Sequence, residues 1–375
     1  MKKIKLLYYD FYMPYLVKDG NYPVGGATVE WYSWIKGLEA NNYEVGVLTW
    51  KGANKFAGNN HSINFIETYD PKAGLKKIRW LFRYRTLYKS VKNFNPDYLL
   101  QECAGFETGI IAYIAKKLNI PFIYRVANDI DTDNRINKRL NYRQKLFFRY
   151  GLRNSSAIFC QNSYQFEQIN DKFPNIPKCI IHNPISFNGE LPEVKIYSKR
   201  SYIAWIGIFQ YQKNLPALYE IVKKMPNIKF KIAGTESNSM LKDKNTQIAL
   251  KGLRECNNAE FVGYLKRNEI LPFLSRAYML LNTSHYEGFS NTYLEALAAG
   301  TPIVASNNAD PDNIIPKNNL GLIVKDNCEY DDAINTIIKN KHYDLLAKRC
   351  RNYLLNNHDT ISLSRKFIKY LKLVK

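Results

Sequence analysis

"YMLLNTSHYEGFSNTYLEALAAGTPIVAS", residues 278–306, reads as strand, turn, helix, strand. "YMLLNTS" is a short apolar run of strand type, and "HYEGF" turns at Gly288. "SNTYLEALAAG" has the signals of a helix. Ser290 or Thr292 can cap it, Leu294, Leu297 and Ala298 share one face, and Gly300 can end it. "TPIVAS" is the next strand. A strand–helix–strand unit this short implies parallel strands with a crossover helix, the repeat unit of an α/β sheet.

The same alternation runs outward in both directions. Toward the N-terminus lie "YIAWIGIF" (from Tyr202), "IKFKIAG" (Ile228) and "AEFVGY" (Ala259), separated by helical patterns such as "LPALYEIVKKM" and a stretch near Met240 to Cys256. Toward the C-terminus lies "LGLIVK" (Leu320). Before residue 186 the strand candidates are "KIKLLYYD", "EVGVLTW", "INFIET", "DYLLQE", "PFIYRVAND", "AIFCQN" and "CIIHNP". Most are continuous apolar runs, as parallel strands covered on both faces require. The rhythm pauses in the polar "SFNGELPEVKIYSKR" and restarts near Arg200. We therefore expect two Rossmann-like domains, residues 1–190 and 200–355, and a basic C-terminal helix, 356–375, that packs back on the first. A ligand crevice is expected at the carboxyl ends of the strands, between the domains.

The 375 residues suit two domains, and 46% hydrophobic content supplies their cores. No apolar run reaches the roughly 18 residues of a membrane span, and the start reads as a strand rather than a signal peptide. Six scattered cysteines without a CxxC spacing suggest reduced core residues of a cytoplasmic protein.

Net charge is +21. Residues 72–96 hold eight Lys/Arg and no acid, and residues 134–153 hold seven and no acid; both stretches are rich in aromatics. In the first, Ile78, Leu81, Tyr88 and Val91 can face a core while Lys77, Arg79, Arg83, Lys89 and Lys92 point outward. Such a face suits an anionic membrane surface, and equally an ordinary solvated helix. Nucleic acid is not expected, since no zinc, RNP-like or helix-turn-helix signature is present. A dinucleotide oxidoreductase is disfavoured because no G-x-G-x-x-G follows the first strand of either half.

Glu287 lies in the loop before a helix start and Glu295 lies inside the helix. A helix N-terminus after a glycine turn favours a phosphate, and an ionised carboxylate accepts two hydroxyl hydrogens, as a ribose diol offers. The spacing thus fits a nucleotide-sugar cradle formed by Glu287, Gly288, Phe289, Ser290, Asn291, Thr292 and Glu295. Thr292-x-x-Glu295 also fits a capping box.

Residues 287–295 resemble the E-x7-E motif of retaining glycosyltransferases of family 4, the "glycosyl transferases group 1". The likeness extends through "EGFSNTYLEALAAGTPIVAS" and, more weakly, along the whole chain. It implies the GT-B fold, with two facing Rossmann-like domains and a deep interdomain cleft. It also implies transfer from a UDP- or GDP-sugar to a glycan or lipid-linked acceptor, as in bacterial surface polysaccharide synthesis. The attachment, where it exists, would be peripheral at the inner face of the plasma membrane. "WIGIFQYQKN" is similar to the diphosphate loop, with Gly207 and Lys213 in place but Ile208 where an Arg is expected. "YPVGGATVEW" is similar to the glycine loop of the first domain, through Gly25 and Gly26. "PFIYRVANDID" is similar to the segment carrying a His-Asp pair, here Asn128-Asp129. "GYLKRNE" is similar to the base-contacting loop, through Gly263 and Tyr264. The resemblance assigns catalytic roles to Glu287, Lys213 and Asp129, with no metal and no cofactor beyond the donor substrate. The departures at Ile208 and Asn128 leave room for a non-catalytic partner subunit that binds a sugar or nucleotide.

Overall fold

The computed structural model describes residues 3–18, 22, 24–58, 61–73, 79–187, 189–237, 243–310 and 312–374; the side chains of Arg79, Trp80 and Asn327 are also left undescribed. The chain forms two compact units. One comprises Met1–Ser186 and Asp359–Lys375, and the other Phe187–His358.

In the first unit seven strands form one sheet: β1 (Lys5–Tyr9), β2 (Glu44–Thr49), β3 (Asn64–Glu67), β4 (Tyr98–Glu102), β5 (Phe122–Arg125), β6 (Ala157–Cys160) and β7 (Lys178–Ile180). Their order is β3-β2-β1-β4-β5-β6-β7, and every pairing is parallel. The unbroken apolar runs follow from two covered faces. Leu6, Tyr8, Val45 and Val47 pack on one side with Trp31, Trp34 and Phe367. Leu7, Leu48 and Leu99 pack on the other with Ile111 and Leu152. This is the two-residue alternation of a strand expressed in a wholly apolar sequence.

The last helix, Thr360–Leu373, is part of the first core. Phe367 stacks on Trp34 at 4.9 Å between ring centroids, and the Tyr98 hydroxyl donates to Leu371 O at 3.1 Å. Gly37 permits the close approach, because a Cβ there would stand 2.3 Å from Thr360 O.

The second unit has six strands: β8 (Tyr202–Ile206), β9 (Phe230–Ala233), β10 (Ala259–Gly263), β11 (Ala277–Asn282), β12 (Ile303–Ser306) and β13 (Gly321–Val324). Their order is β10-β9-β8-β11-β12-β13, again with all pairings parallel. Both sheets are thus Rossmann-like, with the order reversing beside the first strand of each unit. Buried Arg200 braces the second unit. Its guanidinium donates to Ala277 O (2.6 Å), Gly300 O (2.8 Å) and the Thr301 hydroxyl (3.0 Å).

Several sequence expectations need correction. The helix expected near Met240 begins at Lys244, and Met240 itself lies outside the described residues. In the basic helix Arg79–Phe94, Val91 is buried and Tyr88 packs half-buried on the same core, as expected, but Leu87 and Phe94 are buried as well and Leu81 is only half-buried. Arg83 does not simply point to water. It donates to Pro71 O at 2.7 Å and lies over the Tyr69 ring. Lys77 and Ile78 lie outside the described residues, and so does the side chain of Arg79. Cys328 is exposed rather than in a core.

Candidate active site

Lys213 and Glu287 are 74 residues apart and meet as an ion pair at 2.5 Å. Two local features bring them together. The short turn Tyr211–Lys213 follows β8, and Gly207 leaves room for the Lys213 stem, since a Cβ there would come within 3.3 Å of Lys213 Cδ and Cγ. Thr283, just after β11, donates its hydroxyl to Lys213 O at 2.8 Å and accepts from Trp205 Nε1 at 3.2 Å. The two loops are therefore stitched together by side chain and backbone.

The Glu287 carboxylate is nearly buried. Oε1 also accepts from the Ser284 hydroxyl at 2.7 Å, and Oε2 from Gln212 Nε2 at a longer 3.3 Å. A carboxylate has about four acceptor sites, and among the described residues three donors reach it, so one on the Oε2 side is left for a hydroxyl donor. Gln212 and Ser284 were not singled out from the sequence. Ser284 lies three residues before Glu287, but nothing in that spacing announces the contact.

The helix that follows spans Asn291–Ala298 with Ser290 as its N-cap. The Thr292–Glu295 capping box is not realised, because Ser290 is the N-cap and Thr292 is already the second helical residue. Ser290 makes no side-chain cap bond, and its hydroxyl instead pairs with Thr292 Oγ1 at 2.7 Å. Gly288, Phe289 and Asn291 occupy the turn and first position of this helix start, in the order the motif requires. Glu295 sits one turn in and is partly buried. Burial pushes its carboxyl up to about 7, against the pull of the Arg267 guanidinium. Tyr264 is near enough that, after burial, the Glu295 charge also raises its phenol. Gly263 turns at φ +76 with open space where a Cβ would be. The structure therefore gathers Glu295, Tyr264 and Gly263 into one neighbourhood. It adds Arg267, a cation the sequence did not mark as functional because it reads as an ordinary first-turn residue.

Ile208 is exposed, so this corner of the diphosphate loop presents an apolar side chain. Tyr211 stacks on His285 at 4.6 Å, and burial lowers the His285 pKa. His285 is thus held by its ring partner and by its backbone N–H, which donates to Gln212 O at 2.8 Å.

In the first unit, Gly25 caps the helix Gly26–Ala40 at φ −69, and a Cβ there would meet nothing within 4 Å. The fold itself does not require glycine at this position. Asp129 lies in a turn after β5, buried, and accepts from Asn162 Nδ2 (3.1 Å) and Gln165 Nε2 (2.9 Å). Burial raises its carboxyl to about 6, with those two bonds opposing. Asn128 is a cap: its side-chain oxygen accepts from Ile130 N at 3.1 Å. The cap of the turn Asp129–Asp131 is therefore Asn128 and not Asp129.

Sequence reasoning also missed a buried network at the carboxyl ends of the same strands. Glu30 accepts from Trp34 Nε1 (3.0 Å), Gln161 Nε2 (2.7 Å) and Arg125 Nε, and Arg125 donates onward to Asn183 Oδ1 (2.8 Å). Beside it, burial and then the Glu30 charge hold the Glu102 carboxyl well above the usual carboxylate range. Among the described residues, no cluster of three or more His, Cys, Asp or Glu is arranged to hold a metal.

Comparison with known proteins bears on this geometry. Residues 24–188 match the model of "Glycosyltransferase Family 4", and residues 188–356 match "Glycosyl transferases group 1". An uncharacterized glycosyltransferase of Methanocaldococcus jannaschii is 25% identical over 90% of this chain and 89% of its own length. The alpha-monoglucosyldiacylglycerol synthase of Streptococcus pneumoniae is 24% identical over 64% of this chain and 59% of its own. Among solved structures, Anabaena HepE in complex with UDP and glucose superposes with a TM-score of 0.76 at 14% identity, covering 98% of this chain and 99% of that one. Staphylococcus aureus TarM, in complex with Fondaparinux, alpha-GlcNAc-glycerol and UDP, gives 0.74 at 13% identity, covering 99% of each. The two sheets are those of the GT-B fold. Matched in tandem from residue 24 to residue 356, the chain belongs to the family 4, group 1 glycosyltransferases.

Proposed function

We propose that this glycosyltransferase moves a hexosyl group from a nucleoside diphosphate sugar, UDP- or GDP-linked, to a glycan or lipid-linked acceptor with retention at the anomeric carbon. The observation that carries the reading is the Lys213–Glu287 pair set directly before the N-terminus of the helix Asn291–Ala298. Lys213 and the first N–H groups of the helix Asn291–Ala298 stabilise charge growing on the leaving diphosphate. Glu287, with one acceptor site left on Oε2, orients a sugar hydroxyl. Glu295 binds the ribose diol, with Tyr264 and Gly263 at the base. The acceptor oxygen attacks on the face from which the diphosphate departs, and a leaving phosphate oxygen takes its proton. Every bond in this step is exchanged between donor and acceptor, and no metal is required. Asp129 would position the acceptor.

The test is calorimetric titration with UDP, GDP, ADP and CMP, with and without Glu295→Ala. Selective binding of one nucleotide, lost in the variant, fixes the donor. Equal binding in both proteins would remove Glu295 from the ribose.

A lipid-linked acceptor, in surface polysaccharide synthesis, is the finer reading. The helix Tyr142–Arg153, in the second basic stretch, supports it better than the helix Arg79–Phe94 in the first. It exposes Tyr142, Leu146 and Phe147 among the exposed cations Arg143, Arg149 and Arg153. Each cation near an anionic surface contributes about 1 kcal/mol. Co-sedimentation that does not depend on anionic lipid would remove this attachment. Among the described residues no helix is long and apolar enough to cross a membrane.

A further inference from the structure

A group of aromatic rings stands at the carboxyl ends of β1 and β2, between the helices Met13–Val17 and Ala53–Ala57, and the donor chemistry does not use it. Tyr15 lies 5.9 Å from Trp50 and 5.0 Å from Phe56, and Trp50 lies 5.2 Å from Phe56. Tyr12 extends the group at 6.5 Å from Tyr15. Lys18 Nζ sits 4.0 Å above the Phe56 ring. Tyr12 is 64% exposed, and Tyr15, Trp50 and Phe56 are each part-exposed. They are therefore not a closed core.

The surrounding backbone holds the rings in place. Asp10 Oδ1 accepts from Tyr12 N (2.6 Å) and Met13 N (3.2 Å), the Trp50 indole donates to Phe11 O (3.2 Å), and Glu67 accepts from Gly52 N and Asn54 N (both 2.9 Å). A polar frame of this kind fixes a platform before any ligand arrives, which lowers the ordering cost of binding. The place also matters. In an open parallel sheet ligands bind outside the carboxyl ends of the strands, beside the point where strand order reverses. Here that point is β1, between β2 and β4.

We propose that Tyr12, Tyr15 and Trp50, backed by Phe56 with Lys18 on its face, form a saccharide-stacking subsite on which a pyranose ring of the acceptor lies. The proposal rests on the glycan-acceptor reading above and adds to it the residues and the chemical face. A pyranose has an apolar C–H face and an equatorial rim of hydroxyls. The rings supply the apolar surface, and the phenol groups of Tyr12 and Tyr15 with the Lys18 ammonium supply rim partners. An acyl chain would strand those polar tips against hydrocarbon, so a sugar ring fits better than a lipid tail.

Saturation-transfer NMR on the full chain tests this, using methyl pyranosides of glucose, galactose, mannose and N-acetylglucosamine, with sub-micellar octyl glucoside as the acyl-chain arm and UDP as the donor control. Transfer to ring C–H protons of at least one methyl pyranoside is expected. Tyr12→Ala should weaken that binding about fivefold, and Tyr12→Phe, which keeps the ring, much less. Melting temperature and UDP binding should be unchanged in both variants, because the Tyr12 ring is mostly in water. Full transfer in Tyr12→Ala overturns the subsite. So does transfer confined to the octyl protons, or no transfer to any pyranoside while UDP binds. Pyranoside binding without nucleotide binding would instead leave the subsite standing and remove the donor reading.

Discussion

In the proposed function the Glu287 carboxylate serves both fold and chemistry. Three donors hold it, one of them charged, so its position is set before a substrate binds. Glu287→Gln keeps the shape and removes the charge. We expect kcat to fall about 100-fold with donor KM within about threefold, because the lost interaction belongs to the transferring sugar. Stability should fall by roughly 1–3 kcal/mol, less than for a fully enclosed pair because Lys213 keeps some solvent contact. Steady-state kinetics with the donor that calorimetry selects, plus a thermal melt, check both figures. An unchanged kcat would return Glu287 to a structural role. Glu295 behaves differently because burial raises its carboxyl to about 7. The ionised form is the better acceptor for a ribose diol, so nucleotide affinity should rise as pH increases through about 7. Glu295→Gln should lack that component, and the difference between the two titration series isolates it from the nucleotide's own ionisation. The sign for folding is opposite. The unfolded carboxyl ionises near its ordinary value of 4.5 and the folded one near 7, so this group's contribution to stability is lost progressively as pH rises between those values.

At the scale of elements, glycines separate what the fold requires from what a ligand requires. Gly300 ends the helix Asn291–Ala298 at φ +65, and a Cβ there would stand 2.6 Å from Val194 Cγ1. Gly300→Ala should cost roughly 1–3 kcal/mol through the left-handed backbone and the contact. Gly25 has an ordinary φ and open space around it, so Gly25→Ala should leave the melting temperature unchanged or slightly raised. Melting curves of the two variants side by side read this contrast; equal losses would refute it. The strands were legible in the sequence because burial on both faces leaves a run such as "KLLYY" continuously apolar. The helices Met13–Val17 and Ala53–Ala57 were not, since five residues carry too little periodicity to read. The motif glutamates were legible through the order of their loop and helix. Their partners Gln212, Ser284 and Arg267 were not, because tertiary contact alone selects them. Glu30 and Arg125 were hidden for a related reason: a charged residue in an amphipathic pattern reads as solvent-facing until its partner is seen.

At the scale of the whole molecule, the chain leaves its first unit at residue 186 and returns to it at residue 359. The final helix is therefore a late-synthesised part of an early-synthesised core. It contributes Phe367, Ile368 and Leu371, each essentially buried, to the cluster around Trp31 and Trp34. Removing one large buried side chain costs about 2–5 kcal/mol, and three together are comparable to the roughly 5–15 kcal/mol by which a domain is stable. Ending the chain after His358 should therefore unfold the first unit. The second unit, Phe187–His358, keeps its own sheet and its own Lys213–Glu287 pair. The truncated protein should lose transfer activity and about half of its cooperative melting enthalpy, yet still bind the nucleotide that the intact protein selects. Calorimetric melting and nucleotide titration on the same sample would show this. A single intact transition would mean that the final helix is dispensable, and simultaneous loss of nucleotide binding would mean that the second unit's fold depends on the first.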